Sequence, residues 1–229
     1  MPRPTRWATV QQAAEALFAR SGFPSASLAK VARRARLSKP GIYYHVRDKD
    51  ELLFRICDAG MRRLLRAGRD AVAGADDPLA KMRGLLRAHA RLCLEQPHML
   101  TVLFAQIRHL SSGRRRRVFA VERRYLDLVR GVVRAGQRAG VFRDVDPSVA
   151  AFSLFAVLNT LHSWYDPRGR VRSDALVGML ERLYLSGLAD GVGAVSARPA
   201  PARRHARRQR AATRSRDGRR RSAARRGSR

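Results

Sequence analysis

Negative charge is what this chain has least of: 18 Asp and Glu stand against 48 Lys and Arg in 229 residues, a formal net charge of +30. Such an excess implies attraction to polyanions, nucleic acid first among them. Cysteine is nearly absent. Cys57 and Cys93 both fall within helical patterns, so no disulfide is suggested and a reducing cytoplasm is the expected setting. No apolar run approaches the ~20 residues of a membrane-spanning helix, and Met1 to Thr9 lacks the apolar core of a signal peptide. There is no Gly-rich phosphate loop, His-Glu-x-x-His pair or Gly-x-Ser-x-Gly elbow, so neither an enzyme nor a cofactor is expected. His89 and Cys93 stand at i, i+4, with His98 after the next break. A metal site would need further ligands converging from elsewhere, so ordinary packing is the better reading and no metal is expected. Strand patterns and Asn-Gly hairpin signals are missing too, which leaves an all-α chain of about nine helices.

The richest stretch runs from Ser27 to Leu53, SLAKVARRARLSKPGIYYHVRDKDELL. Leu28, Val31, Ala32 and Ala35 recur at i, i+3, i+4 and i+7, one buried helical stripe, and Ser27 can cap its start. Ala35-Arg36-Leu37 makes the connection, with Leu37 placed to fill the angle between two helices. Ser38 caps the next helix and Pro40 sits in its first turn, where a missing N–H costs nothing. Ile42 and Val46 face inward, which turns Lys39, Gly41, Tyr43, Tyr44 and His45 outward or to the flanks. Asp48 and Glu51 form a start signal for a following helix. Upstream, Val10, Ala13, Ala14, Leu17 and Phe18 give a supporting amphipathic helix ended by Gly22. Three such helices make a helix-turn-helix unit whose second paired helix enters a major groove. Residues 1–47 hold nine Lys or Arg against the single acid Glu15, so this unit is basic in its own right.

Over residues 5 to 54 the chain resembles the N-terminal DNA-binding domain of TetR/AcrR-type transcriptional regulators. The resemblance rests on Ser27-Leu28-Ala29-Lys30-Val31-Ala32, on Leu37 through His45, and on Asp48-Lys49-Asp50-Glu51-Leu52. Two positions depart from the usual pattern. Arg36 stands where a turn glycine is usual, at a position favouring positive φ, and Val46 replaces a Phe. The resemblance implies a DNA-binding set of Ser27, Lys30, Ser38, Lys39, Pro40, Gly41, Tyr43, Tyr44, His45 and Lys49. Ser38, Tyr43 and His45 would donate to phosphates, and Lys49 with the N-terminus of its helix would clamp the backbone. Lys39 is the candidate for a guanine contact, and Gly41 permits close approach. Tyr44 either joins them or packs against the first helix.

Three segments follow from composition: a helix-turn-helix domain at 1–54, a helical ligand-binding and dimerisation bundle at 55–192, and an Arg-rich tail at 193–229. From Ser196 onward, 14 Arg face one acid, Asp217. Such a tail cannot bury enough surface to fold, so disorder is expected; it is either an electrostatic tether or a dispensable extension. The last two helices of the bundle carry Phe152, Phe155, Leu158 and Leu161, and Leu176, Met179, Leu180, Leu183 and Leu188. This is more apolar face than one core needs, and the resemblance implies a homodimer through it; packing inside one subunit is the alternative. A dimer would read successive grooves of a near-palindromic double-stranded operator. The segment Trp164-Tyr165-Asp166-Pro167-Arg168-Gly169 resembles the subgroup that responds to acyl-CoA thioesters. Polar groups on the otherwise apolar helix 158–165, with Arg108, Arg124 and Tyr125 on helices that could face it, make the candidate ligand residues Arg108, Arg124, Tyr125, Asn159, His162 and Trp164, although Asn159 and His162 serve equally as interior polar residues and Trp164 as helix-end packing. The function expected is a ligand-released, sequence-specific repressor, with a weakly specific nucleoid-type DNA-binding protein as the alternative.

Overall fold

Side-chain caps set the helix boundaries. Ser27, Ser38, Asp48, Asp77 and Asp146 each accept a hydrogen bond from a backbone N–H two or three residues on, which satisfies donors that the first helical turn leaves free. The computed structural model describes residues 6–189; the Arg-rich tail lies outside them. The N-terminal unit is α1 (Arg6–Ser21), α2 (Leu28–Arg34) and α3 (Lys39–Tyr43). The long α4 (Lys49–Ala73) leads into α5 (Pro78–Glu95), α6 (Pro97–Thr101) and α7 (Ser112–Arg138). The chain closes with α8 (Pro147–Asn159), α9 (Leu161–Trp164) and α10 (Ser173–Leu188). An all-α fold with an N-terminal helix-turn-helix is therefore observed. The apolar helix expected at 150–164 is divided at Thr160 into α8 and the single turn α9, which accounts for ten α segments among the described residues where about nine helices were expected.

Two other details depart from the sequence pattern. The helix expected between Pro97 and Leu110 keeps α geometry only to Thr101. It then widens to a π-helical turn, Val102–Gln106, and tightens to a 3₁₀ turn, Ile107–His109. The widened turn coincides with a distant contact: Gln106 Oε1 accepts from the backbone N–H of Phe23 at 3.0 Å. Second, α4 is unbroken across the 54/55 division, and its buried face runs from Leu52 through Leu53, Ile56, Met61 and Leu64 to Gly68. At Gly68 a Cβ would stand 2.6 Å from Tyr125 Cε2, so glycine there is what lets α4 and α7 meet so closely.

The turn between α2 and α3 resolves the oddity of Arg36. Leu37 N donates to Ala32 O at 2.9 Å and Arg36 N to Arg33 O at 3.2 Å. This is the paired closure of a Schellman motif, whose first residue past the cap takes a left-handed conformation. Arg36 occupies it at φ 56°, the one non-glycine residue with positive φ among those described. Arg36→Gly should stabilise the fold by about 0.5–1 kcal/mol, the left-handed penalty less the entropy of a free glycine. In a thermal melt that is a rise of about 1–4 °C; an unchanged or lower midpoint would show that the turn holds Arg36 without strain.

Candidate nucleic-acid interface

α2 and the short α3 each begin at a serine cap. Ser38 Oγ accepts from Gly41 N at 3.1 Å, and Ser27 Oγ accepts from Lys30 N at 3.2 Å. In both, the hydroxyl proton remains available for an outside acceptor such as a phosphate oxygen. A Cβ at Gly41 would press to 3.1 Å from Ser38 Oγ, so this glycine protects the cap as well as opening the face. Ile42 and Val46 are buried beneath. Ser38, Lys39 and Pro40 are exposed, Tyr43 is half exposed, and Tyr44 is 89% exposed. Tyr44 therefore does not pack against α1, and its one ring neighbour among the described residues is His45.

The expected residues divide into two groups. An open groove of about 430 Å³ between the start of α2 and α3 is lined by Ser27, Lys39, Tyr43, Arg47 and Lys49, among others. Ser27, Lys30, Arg33, Arg34, Arg36, Lys39 and Arg47 are all exposed around it or along α2. Arg47 was not singled out from the sequence. Its signal was simply a cation directly before the Asp48 cap. His45 sits further in, half-buried, with its ring 6.4 Å from Trp7. Its carbonyl accepts from Arg55 Nη1 at 3.0 Å.

Lys49 corrects an expectation. Its ammonium donates to the carbonyls of Phe23 at 3.0 Å, Pro24 at 3.2 Å and Ala26 at 2.9 Å, and lies 4.4 Å from the centre of the Phe23 ring. An ammonium has three protons, and all three are spent on the loop between α1 and α2. In this conformation Lys49 ties the loop to α4 and has no proton to offer a phosphate. Nearby, Asp48 and Glu51 close the start of α4 reciprocally: Asp48 accepts from Glu51 N, and Glu51 Oε2 accepts from Arg47 N.

A second set of contacts joins this unit to the bundle. Arg114, in the first turn of α7, pairs with Asp48 Oδ1 at 3.1 Å and with Asp50 Oδ2, and Ser111 N donates to Asp50 Oδ1 at 3.1 Å. Burial opposes ionisation of Asp50, but Arg114 and Ser111 outweigh it and hold its carboxyl below the ordinary range. His109 stacks on Phe23, ring centres 5.7 Å apart. The segment 106–114 thus touches both the α1–α2 loop and the start of α4. Sequence periodicity gave no signal for these pairs, because each joins residues more than sixty positions apart.

In the bundle, the suggested ligand residues do not form one site. Arg108, Arg124 and Trp164 are exposed; Arg108 donates to the adjacent His109 at 3.3 Å. Tyr165 pins the turn after α9 through Val171 O at 2.9 Å and Ser173 Oγ at 3.1 Å, so this end of the helix is packing. Tyr125 is buried at 2% exposure and bonds His89 Nδ1 at 3.2 Å. Phe155 stacks on Tyr125 and leans on His89, centres 5.3 and 5.7 Å away. Asn159 and His162 are half-buried. Among the described residues, Asp58 Oδ1, His89 Nε2, Asn159 Oδ1 and His162 Nδ1 are buried without a hydrogen-bond partner. His89, read from the sequence as ordinary packing, continues the buried stripe Met82, Leu85, Leu86 of α5. Among the described residues no three His, Cys, Asp or Glu side chains group as metal ligands.

His89 carries an acid sensitivity. Burial pushes its imidazole down to about 4, with the side-chain interaction with Asn159 acting the other way. The folded value lies below the unfolded one, so the unfolded chain binds the proton first as pH falls. Stability is full above about pH 6.5 and is lost as pH drops towards 4, by about 3 kcal/mol in all. Urea unfolding should show this slope in the wild type and a flatter one in His89→Phe; parallel slopes would refute it.

A short helix, capped by Ser38 and solvent-facing in a basic setting, on an all-α chain that continues through α4 into a helical bundle, defines a helix-turn-helix DNA-binding regulator. Comparison with known proteins agrees. Residues 11–56 match the family model of bacterial regulatory proteins, tetR family, and residues 75–188 match that of the tetracyclin repressor-like C-terminal domain. A TetR/AcrR-family regulator from Thermobifida fusca is 30% identical, the match covering 80% of this chain and 98% of that one, with a TM-score of 0.63. The TetR-family regulator PfmR from Thermus thermophilus is 29% identical over 78% of this chain and 97% of its own, with a TM-score of 0.72. AibR, crystallised with isovaleryl coenzyme A and operator DNA, shares the fold at 23% identity over 78% and 97% of the two chains, TM-score 0.72. The chain belongs to the TetR family of DNA-binding transcription regulators. No helix among the described residues is long and apolar enough to cross a membrane.

Proposed function

We propose that this protein is a cytoplasmic homodimeric repressor that reads a near-palindromic operator and leaves it when a small molecule binds its helical bundle. The observation that carries the reading is the exposed Lys39–Tyr44 face on a helix whose start is capped by Ser38. Lys39 and Tyr44 reach base edges. The hydroxyls of Ser27, Ser38 and Tyr43, with Lys30, Arg47 and the flanking arginines, take phosphates. Pro40 and Gly41 let the helix come close, and His45 acts through Trp7 and Tyr44 as a positioning residue. In this reading residues 1–54 read DNA, residues 55–192 form the ligand-binding and dimerisation bundle, and the Arg-rich tail acts as an electrostatic tether.

Dimerisation is supported by apolar side chains that stand exposed among the described residues of the single subunit. Val149, Phe152, Val157 and Trp164 on α8 and α9, and Met179 and Leu183 on α10, are each 43–74% exposed. Of the dimer residues expected from sequence, Leu158, Leu161, Leu176 and Leu188 are instead buried inside the subunit, and Phe155 and Leu180 are half-buried. Two of the exposed ones, Val149 and Leu183, line an apolar groove of about 290 Å³ between α8 and α10, together with Tyr184 and Leu188 among others. Glu181, bridging Arg83 and Arg87 at 2.6 Å each, holds α10 on α5, and Tyr184 Oη donates to Ala150 O at 2.7 Å to hold it on α8. The face is thus presented on a fixed frame.

For the effector, an acyl-CoA thioester is the favoured class, on the Trp164–Gly169 resemblance and on AibR's complex with isovaleryl coenzyme A. Release would be a population shift that needs unequal affinity for two states. Arg114 with Asp48 and Asp50 is the tie through which the bundle moves the recognition helix. Selection of bound DNA from a random pool by the full chain should yield a two-fold motif with half-sites roughly 34–36 Å apart; enrichment without any motif would instead mark a nucleoid-type protein. On the selected site, Arg114→Ala should keep affinity within about threefold, an exposed pair contributing about 1 kcal/mol or less. It should also require more effector for release; an unchanged release curve would remove Arg114 from the coupling.

A further inference from the structure

An open groove of about 790 Å³ runs along the outer face of α4 from Phe54 to Asp70, with Trp7 and Gln11 of α1 as its other wall. Four arginines, Arg55, Arg62, Arg63 and Arg66, line it against two acids, Asp58 and Asp70. The four are not equivalent. Arg55 is already engaged: it pairs with Glu51 at 2.9 Å, donates to His45 O at 3.0 Å and lies 4.9 Å from the centre of the Trp7 ring. Arg62 is engaged with Asp58 at 2.7 Å. Arg63 and Arg66 are exposed and form no hydrogen bond or ion pair among the described residues, although Arg63 and Glu15 attract each other. Asp70, exposed one turn beyond Arg66, closes the cationic stretch. At the opposite end both rings carry a guanidinium on one face, Arg55 on Trp7 and Arg117 of α7 at 4.8 Å from the centre of Phe54.

We propose that this groove binds a nucleoside diphosphate, with its base stacked at the Trp7–Arg55 end and its phosphates on Arg63 and Arg66. A guanidinium held flat on an aromatic ring is a platform on which another planar ring stacks. An alkyl chain laid there would desolvate the charge without pairing it. The two free cations are guanidiniums as well, and their forked N–H donors match phosphate oxygens. Spacing supports the same assignment. At 1.5 Å of rise per residue, Arg63 lies about 12 Å along α4 from Arg55, and Arg66 about 16 Å. Ring and phosphates therefore have separate places, and each added phosphate extends the anion towards Arg66. Duplex DNA keeps its base faces stacked inside the helix and offers this platform nothing, whereas a free nucleotide presents one. The groove is walled by α1 of the DNA-reading unit and by α4, so its occupant holds the two together. This site is distinct from the effector site proposed inside the bundle and does not depend on it.

The test uses the full-length protein and four probes: ADP, adenosine, pyrophosphate and a short single-stranded oligo(dA). Calorimetry gives the affinities, and the two indole N–H resonances in NMR give the place, because Trp7 lines the groove while Trp164 stands exposed on α9. An Arg-rich tail attracts any phosphate, so binding counts only where Trp7 moves and Trp164 does not. ADP should bind and shift Trp7 alone, with adenosine and pyrophosphate each at least about tenfold weaker, the loss of one good contact. The double variant Arg63→Ala/Arg66→Ala should bring ADP down to the level of adenosine. Adenosine binding and the melting temperature should stay as in the wild type, since both side chains are exposed. Arg69→Ala, an equally exposed arginine of α4 outside the groove lining, should leave every value unchanged. Pyrophosphate binding as tightly as ADP, a Trp7 resonance that ADP leaves still, or full ADP affinity in the double variant would each overturn the proposal. Oligo(dA) binding at Trp7 more tightly than ADP would overturn it in favour of single-stranded nucleic acid. A protein that orders the probes as expected but selects no operator keeps this site and loses the regulatory function.

Discussion

Leu183→Glu should convert a dimer into a folded monomer that no longer holds its operator. Leu183 is 74% exposed in the single subunit, so the substitution removes no internal packing, and the isolated protomer should keep its helical content and its bundle core. In a two-fold interface each change occurs twice. Two carboxylates placed in an apolar groove lose hydration without gaining a partner. At about 3 kcal/mol or more the dimer dissociation constant rises at least about a hundredfold. Sedimentation should show monomers at concentrations where the wild type is dimeric. Operator affinity should fall by at least the same factor, because the second recognition helix is no longer delivered at fixed spacing. Phe152→Glu, at 55% exposure on α8, should act in the same direction. A Leu183→Glu protein that stays dimeric would place the subunit contact on another face.

The recognition helix offers the second large effect. Tyr44→Ala removes a side chain that is 89% exposed, so folding stability should change by no more than about 0.5 kcal/mol. DNA affinity should drop about tenfold to a hundredfold, the range of one good base or backbone contact. Lys39→Ala should relax discrimination at one base position in each half-site, which a set of single-base operator variants will reveal. Lys49→Ala provides the contrast. Its ammonium holds three loop carbonyls, so its loss should lower the melting temperature and weaken every DNA sequence together. If instead Lys49→Ala melts like wild type and only the salt dependence of binding changes, the loop contacts yield to phosphates on the operator. If Tyr44→Ala binds DNA normally, the exposed ring belongs to another surface.

What could be read from sequence was local. Caps at Ser27, Ser38 and Asp48, the inward pair Ile42 and Val46, and the strained turn at Arg36 all follow from neighbours within a few residues, and each stands as expected. The exposed members of the DNA-reading set follow from the same periodicity. The bundle was less legible. Its helices could be outlined, but a stripe such as Phe152, Leu158, Leu176 and Leu183 looks equally apolar whether it faces a core or a partner. Only the tertiary structure divided it, burying Leu158 and Leu176 and leaving Phe152 and Leu183 outside.

The charges tell the same story. Sequence by itself determined that the chain is all-α, basic and built around a helix-turn-helix, because propensity, capping and hydrophobic period act over one or two turns. It could not determine where a long side chain ends up. Lys49 was free to reach a phosphate or to fold back on Phe23, and packing of the α1–α2 loop against α4 chose the second. Arg114 found Asp48 and Asp50 across the fold, and His89 met Tyr125 and Asn159 only because α5, α7 and α8 share one core. Those pairings are made by contacts between residues far apart in the chain, and they were decided by how the helices pack.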